Sequence, residues 1–297
     1  MTTNHAPAGA FPTLTLAAAL AFLAPPWGAH GHRIAGEAAA RGLPPSMPSF
    51  FRDRSDQLAW LDAEPDRWRG RGARAAERAF AYDHYIDLER VPGGALDAAD
   101  RWRFLDALHR AGMEEPASGV GLLPFRILEL QQRLVGEWRR WREATNLRER
   151  RWIEDRIVDD AGILGHYVTD ASQPQHTTIH FNGWAEGVPN PEGYPTDRSF
   201  HTRFETTFVG ARVELDDLLA VMGRRRPRRI DDVRAAILAH IREAHERVEE
   251  LYRLDRDVGF SPDRADARTV RFAVERLVSG AEMLQDLWWT AWLESAR

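Results

Sequence analysis

The chain has 297 residues, with 40 basic and 45 acidic side chains and a formal net charge of −5. Its 43% hydrophobic and 29% charged residues are the balance of a globular protein, which excludes global disorder and a polytopic membrane protein, and the mild acidity argues against a duplex-DNA binder. Lysine and cysteine are both absent. That removes Schiff-base and thiolate chemistry, disulfides, iron–sulfur clusters and cysteine zinc fingers, so a metal site must be built from His, Asp, Glu and main-chain groups.

At the start of the chain, Leu14 to Ala24 is an apolar run rich in Ala and Leu, followed by Pro25-Pro26. It is shorter than the roughly 20 residues of a membrane span and fits the apolar core of a secretory signal, although no Lys or Arg precedes it. Residues 1–26 are therefore expected to be an export signal. Residues 27–297 would form a secreted or periplasmic domain without a transmembrane segment. Segments 33–41, 49–60, 97–112, 121–143, 147–171, 201–222, 230–254 and 262–295 carry apolar residues at three- and four-residue spacing. In 121–143 the stripe is Leu123, Ile127, Leu130, Leu134, Trp138 and Trp141. Asp97 and Ser261-Pro262-Asp263 look like helix starts and Gly223 like a stop. No strand-turn-strand pattern stands out. The expected fold is all-α, a single multi-helix domain with a cleft. The Gly/Pro stretch 182–198 is long enough to be functional, and the arginine cluster 224–229, split by Pro227, reads as a solvated connector.

The clearest chemical signal lies at 164–176, Leu-Gly-His-Tyr-Val-Thr-Asp-Ala-Ser-Gln-Pro-Gln-His. His166 and Asp170 are four apart, so they leave one helix face together, and Gln173-Pro174 turns the chain so that His176 comes back towards them. An imidazole and carboxylate pair with a third ligand suits zinc. His201 and Glu205 repeat the four-residue spacing. Upstream stand His84 within Tyr-Asp-His-Tyr-Ile-Asp, Asp62 within Ala-Trp-Leu-Asp, and the run Trp27-Gly28-Ala29-His30-Gly31-His32.

In order, type and spacing, these segments resemble the zinc-dependent phospholipase C and single-strand-specific nuclease superfamily, over roughly Trp27 to Phe208. The resemblance implies a helical protein with three zinc ions in a cleft. One ion would take Asp62, His84, His166 and Asp170. A neighbour would take the amino group and carbonyl of a terminal Trp27, His32 and Asp170 as the bridge. The third would take His176, His201 and Glu205. It also implies phosphodiester hydrolysis by a hydroxide bridging two zincs, with Asp170 shared between them and Asp62 or a neighbouring carboxylate orienting the water.

The arginine that some nuclease members place three residues after the first aspartate is missing after Asp62, with Arg67 or Arg69 as replacements. His30 and His180 are extra histidines near the cluster, His180 as a candidate cleft residue, whereas His109, His240 and His245 read as structural. The Trp-Gly-x-x-Gly-His opening and Tyr85, an aromatic that could stack on a base, resemble the nuclease branch. Glu205 as the last ligand and the lack of cysteine resemble the phospholipase branch. Trp184 and Tyr194 are candidates to contact lipid or base. Phospholipid is the leading substrate and single-stranded nucleic acid the alternative. A catalytically silent zinc-stabilised helical protein and a metal-free interaction module are the readings from other classes.

Overall fold

Helix Leu147–Asp170 is the spine of the protein in the computed structural model, which describes residues 27–69, 72–264 and 266–297. The spine begins on Asn146, whose side chain accepts the Arg148 and Glu149 amides at 2.8 and 3.3 Å. That cap satisfies two amides with no partner inside the helix and contributes about 1 kcal/mol. From Leu147 to Arg156 the helix is largely solvated, whereas Ile157 to Asp170 is almost wholly buried. The change marks where other helices close around it. Helices Gly28–Arg41, Ser55–Asp62, Leu123–Glu143 and Ala267–Glu294 all pack against the spine.

Large aromatic side chains fill the space between these helices. Phe51, Trp138 and Trp288 are fully buried, with Phe51 centred 5.4 Å from each tryptophan. Each such side chain stabilises the fold by about 1.5–3 kcal/mol through burial. The short helix Ser55–Asp62 lies unusually close to the spine. A Cβ at Gly162 would stand 2.3 Å from that of Leu61, so glycine is what lets the two backbones approach and pushes Asp62 deep into the interior.

The all-α expectation holds: among the described residues there are only two isolated bridges, Ile86 with Gly121 and Phe181 with Gly183. Several helix boundaries differ. Segment 201–222 is interrupted at Val213 and Glu214, both extended, because buried Val213 turns the chain and Glu214 forms a capping box with Asp217 for helix Leu215–Met222. Segment 230–254 is two helices, Val233–Glu246 and Val248–Asp257. Helices expected from Asp97 and Ser261 start on Asp100 and Asp266, whose side chains accept from Arg103 and Arg268 amides. Gly223 ends its helix as expected, at φ 56°. The arginine cluster is more than a connector, since Arg225 binds Asp286 at 2.5 Å and Glu282 at 3.3 Å, pinning it to the last long helix. No helix among the described residues is long and apolar enough to cross a membrane. The expected export signal lies outside the described residues.

Candidate metal centre

The buried end of the spine carries His166 and Asp170, one helical turn apart. The chain then turns through Ala171–Gln173 into the 3₁₀ turn Pro174–His176, which returns His176 to the same place. A second 3₁₀ turn, Ala81–His84, delivers His84. The first turns of helix Gly28–Arg41 supply His32, with Trp27 just before them. His201 lies in the turn Phe200–Thr202, and Glu205 in the π-helical stretch Arg203–Phe208 that follows. Such wide turns are rare and concentrate at functional sites.

Asp170 is the centre of the arrangement. Its Oδ2 lies 3.0 Å from His84 Nδ1 and 3.3 Å from His166 Nε2, and its Oδ1 lies 3.5 Å from His32 Nε2 and 3.6 Å from His176 Nδ1. His84 Nδ1 and His166 Nε2 are themselves 3.0 Å apart. Beside them, Glu205 Oε2 stands 3.0 Å from His201 Nε2, 3.6 Å from His176 Nε2 and 2.6 Å from the main-chain nitrogen of Trp27. Three groups have ligand atoms within 4.8 Å of one another: His32 with His166 and Asp170, Asp66 with His84 and His166, and His176 with His201 and Glu205. Four donors about 2.0–2.1 Å from a tetrahedral zinc would stand about 3.3–3.4 Å apart, and the closest pairs here are 3.0–3.8 Å apart.

The rear faces of four of the imidazoles are occupied. His166 Nδ1 donates to the carbonyl of Asp62 at 2.7 Å, His176 Nδ1 to that of His84 at 2.7 Å, and His201 Nδ1 to that of Phe181 at 2.8 Å. His32 Nδ1 meets Asp62 Oδ1 at 3.0 Å. With Nδ1 carrying the proton, each Nε2 presents a lone pair inward, the tautomer that metal-binding histidines use. Asp66 Oδ1 and Oδ2, Asp170 Oδ1, His176 Nε2 and Glu205 Oε1 are buried and have no hydrogen-bond partner. Buried acceptors converging without donors are costly. A divalent cation is the chemical complement of this donor set, and the residues present fit it.

Electrostatics point the same way. Burial raises the Asp62 and Asp66 carboxyls well above the usual carboxylate range; Asp170 adds to both, and Arg69 opposes at Asp66. Burial also lifts Asp170 to about 7 against the pull of His176 and Arg69. At Glu205 burial is outweighed by His201 and His176, which hold the carboxyl down to about 2. His84 and His166 are pushed well below an ordinary imidazole by burial and by Arg69, so both are neutral donors.

The structure brings Trp27, His32, His84, His166, Asp170, His176, His201 and Glu205 together as expected, but it moves Asp62. That side chain is fully buried behind His32 and supports it. Asp66, one turn later, faces His84 and His166 in its stead. The signal that singles out Asp66 is in Pro65-Asp66-Arg67-Trp68-Arg69: Arg69 follows it by three residues, the spacing the resemblance asks for, and lies 3.7 Å from its carboxylate. Arg67 instead binds Glu64 and covers Trp60.

A cleft of about 300 Å³ opens onto His84, His176 and His201, with Arg69, Tyr82, Tyr85, Asp87 and Phe181 on its walls. Tyr85 reaches it as expected, anchored by donating to the Ser118 carbonyl at 2.8 Å. His180 does not. Its ring stacks on Trp184, 3.7 Å between centroids, and this pair packs with Tyr194 and Tyr252, so the 182–198 loop uses its aromatics to hold itself down. His30 is likewise structural and donates to the Val213 carbonyl. No family model, curated protein or solved structure matches the chain.

Proposed function

We propose that the protein is a zinc-dependent phosphodiester hydrolase. One observation carries this reading: imidazole and carboxylate donors from six separate segments converge at the head of a cleft, with the rear nitrogens of His32, His166, His176 and His201 already engaged. In this reading Asp66, His84, His166 and Asp170 hold one ion, His32, Asp170 and the Trp27 terminus a second, and His176, His201 and Glu205 a third. Bound zinc would supply a Lewis acid for the phosphoryl oxygens and lower the pKa of water at neutral pH.

The protein's own residues do the rest. Asp170 would be shared, and its charge would offset the mutual repulsion of two ions. Arg69, on the cleft wall beside Asp66, binds a phosphoryl oxygen and fixes the ester against the metal face. Tyr82, Tyr85 and Phe181 give the leaving group an apolar wall and keep bulk water from it. Cleavage after Pro26 would give Trp27 a free amine in the place where its nitrogen already meets Glu205 at 2.6 Å. It would also abolish the φ torsion, which at 42° is in the left-handed region that a bulky residue adopts at a cost of about 1–3 kcal/mol. An exported enzyme, secreted or periplasmic, processed at that bond fits both features.

Phospholipid head-group cleavage is the leading substrate assignment. Tyr85, beside His84 on the cleft wall, favours single-stranded nucleic acid as the second. The test is direct competition on zinc-loaded protein beginning at Trp27, offered phosphatidylcholine dispersions and single-stranded DNA or RNA, with phosphocholine and nucleotides measured separately. Phosphocholine release dominates if the first assignment is right. Nucleotide release far above it, depressed in Tyr85→Ala by the loss of a stacking platform of about 1–3 kcal/mol, reverses the order. No turnover of either, with zinc bound, makes the metals structural.

A further inference from the structure

We infer that Asp62 is a positioning residue that sets two metal-facing histidines at once: its carboxylate holds His32, and its main-chain carbonyl holds His166. The inference rests on the metal-centre reading above and replaces the direct ligation that the resemblance implied for Asp62.

The geometry is specific. Asp62 Oδ1 meets His32 Nδ1 at 3.0 Å, and the Asp62 carbonyl accepts from His166 Nδ1 at 2.7 Å. The two rings are consequently stacked, 4.0 Å between centroids and 17° from parallel. Their Nε2 atoms reach opposite oxygens of Asp170, at 3.5 and 3.3 Å. One residue thus delivers a matched pair of imidazoles to the two sides of one carboxylate. The pocket for its side chain is made by the very helices that carry the two histidines. A Cβ at Gly36 or at Gly165 would lie 2.6 Å from Asp62 Oδ2, so each helix gives up a side chain where the carboxylate must fit. A carboxylate behind an imidazole orients the ring and makes its inward nitrogen a stronger ligand.

The two halves of the role separate experimentally, because a substitution removes the carboxylate and leaves the carbonyl. Zinc affinity is measured by chelator competition on the chain from Trp27 to Arg297, and the Nδ1–H protons are observed in zinc-loaded protein labelled with ¹⁵N-histidine. Asp62→Asn keeps an acceptor without charge and is expected to weaken the affected zinc about 10-fold; Asp62→Ala, with no acceptor, about 100-fold. The slowly exchanging Nδ1–H signal of His32 disappears in Asp62→Ala, while that of His166 persists. Gly36→Ala, which displaces the carboxylate without altering it, reproduces the loss at His32 and keeps the question answerable if Asp62→Ala does not fold. Unchanged affinity and an unchanged His32 signal overturn the inference, as does simultaneous loss of both histidine signals, which would mark a general packing role. A parent protein that takes up no zinc defeats the metal-centre reading itself, a distinct outcome.

Discussion

Asp160 and Asp170 lie on the same helix, and both carboxylates are buried, 1% and 0% exposed. Arg133 reaches Asp160 with contacts of 2.8 and 3.1 Å, and Arg156 adds another at 3.2 Å. Asp170 is ringed instead by four imidazoles, from His32, His84, His166 and His176. The first carboxylate is neutralised by guanidinium groups of the fold. The second meets imidazoles, of which His84 and His166 are held neutral by burial, and other carboxylates lie close by. Burial alone therefore says little about function. What distinguishes the two is whether the fold supplies the compensating positive charge, since a buried ion must be paired or must hold a cation.

The sharpest way to break this contrast is to remove each carboxylate in turn. Asp170→Ala should abolish hydrolysis and most zinc uptake, a loss exceeding the about 10–100-fold that an outer partner costs. Asp160→Ala should leave zinc content intact and lower stability by only about 1 kcal/mol, because Arg133 and Arg156 are about half exposed and are hydrated once the carboxylate is gone. Elemental analysis and thermal unfolding on both variants decide it; equal zinc content in the two would end the distinction.

Metal removal should give the next largest effect. Zinc at a thousandfold over its Kd would stabilise the folded chain by about 4 kcal/mol, so chelation should lower the unfolding midpoint on the order of 10 °C, at about 2–4 °C per kcal/mol. Asp170→Ala should respond far less to chelator, and Asp160→Ala as the parent does.

A smaller effect belongs to Asp87, a cleft carboxyl outside the ligand set. Burial lifts it to about 7, opposed by Arg90. In the folded state it keeps its proton where the unfolded chain has lost it, so its contribution is full below about 4 and is lost as pH rises towards 7. Asp87→Asn should remove that loss. Relative to the parent, the variant gains stability with rising pH across that window and then levels off. Paired denaturant titrations at several pH values measure the difference, and a pH-independent offset would contradict the assigned cause.

Much of the site was legible locally. The four-residue spacing of His166 with Asp170 and of His201 with Glu205, and the proline that brings His176 back, are properties of a few consecutive residues, which the helical repeat and the turn settle with little help from elsewhere. Helical spacing by itself did not separate Asp62 from Asp66, and the one local mark was Arg69, three residues after Asp66. The two aspartates stand four residues apart, and the seating of the 55–67 segment on the spine, at the depth Gly162 permits, turns one to His32 and the other to His84 and His166. His180 was a candidate to line the cleft, yet Trp184 and Tyr252 hold it elsewhere. Composition and periodicity determined an all-α chain, its lack of thiol and lysine chemistry and its pairs of donors. Which donors meet across the fold was decided by tertiary packing, because side chains distant in sequence fix how one helix lies against another, and no local repeat encodes that angle or depth.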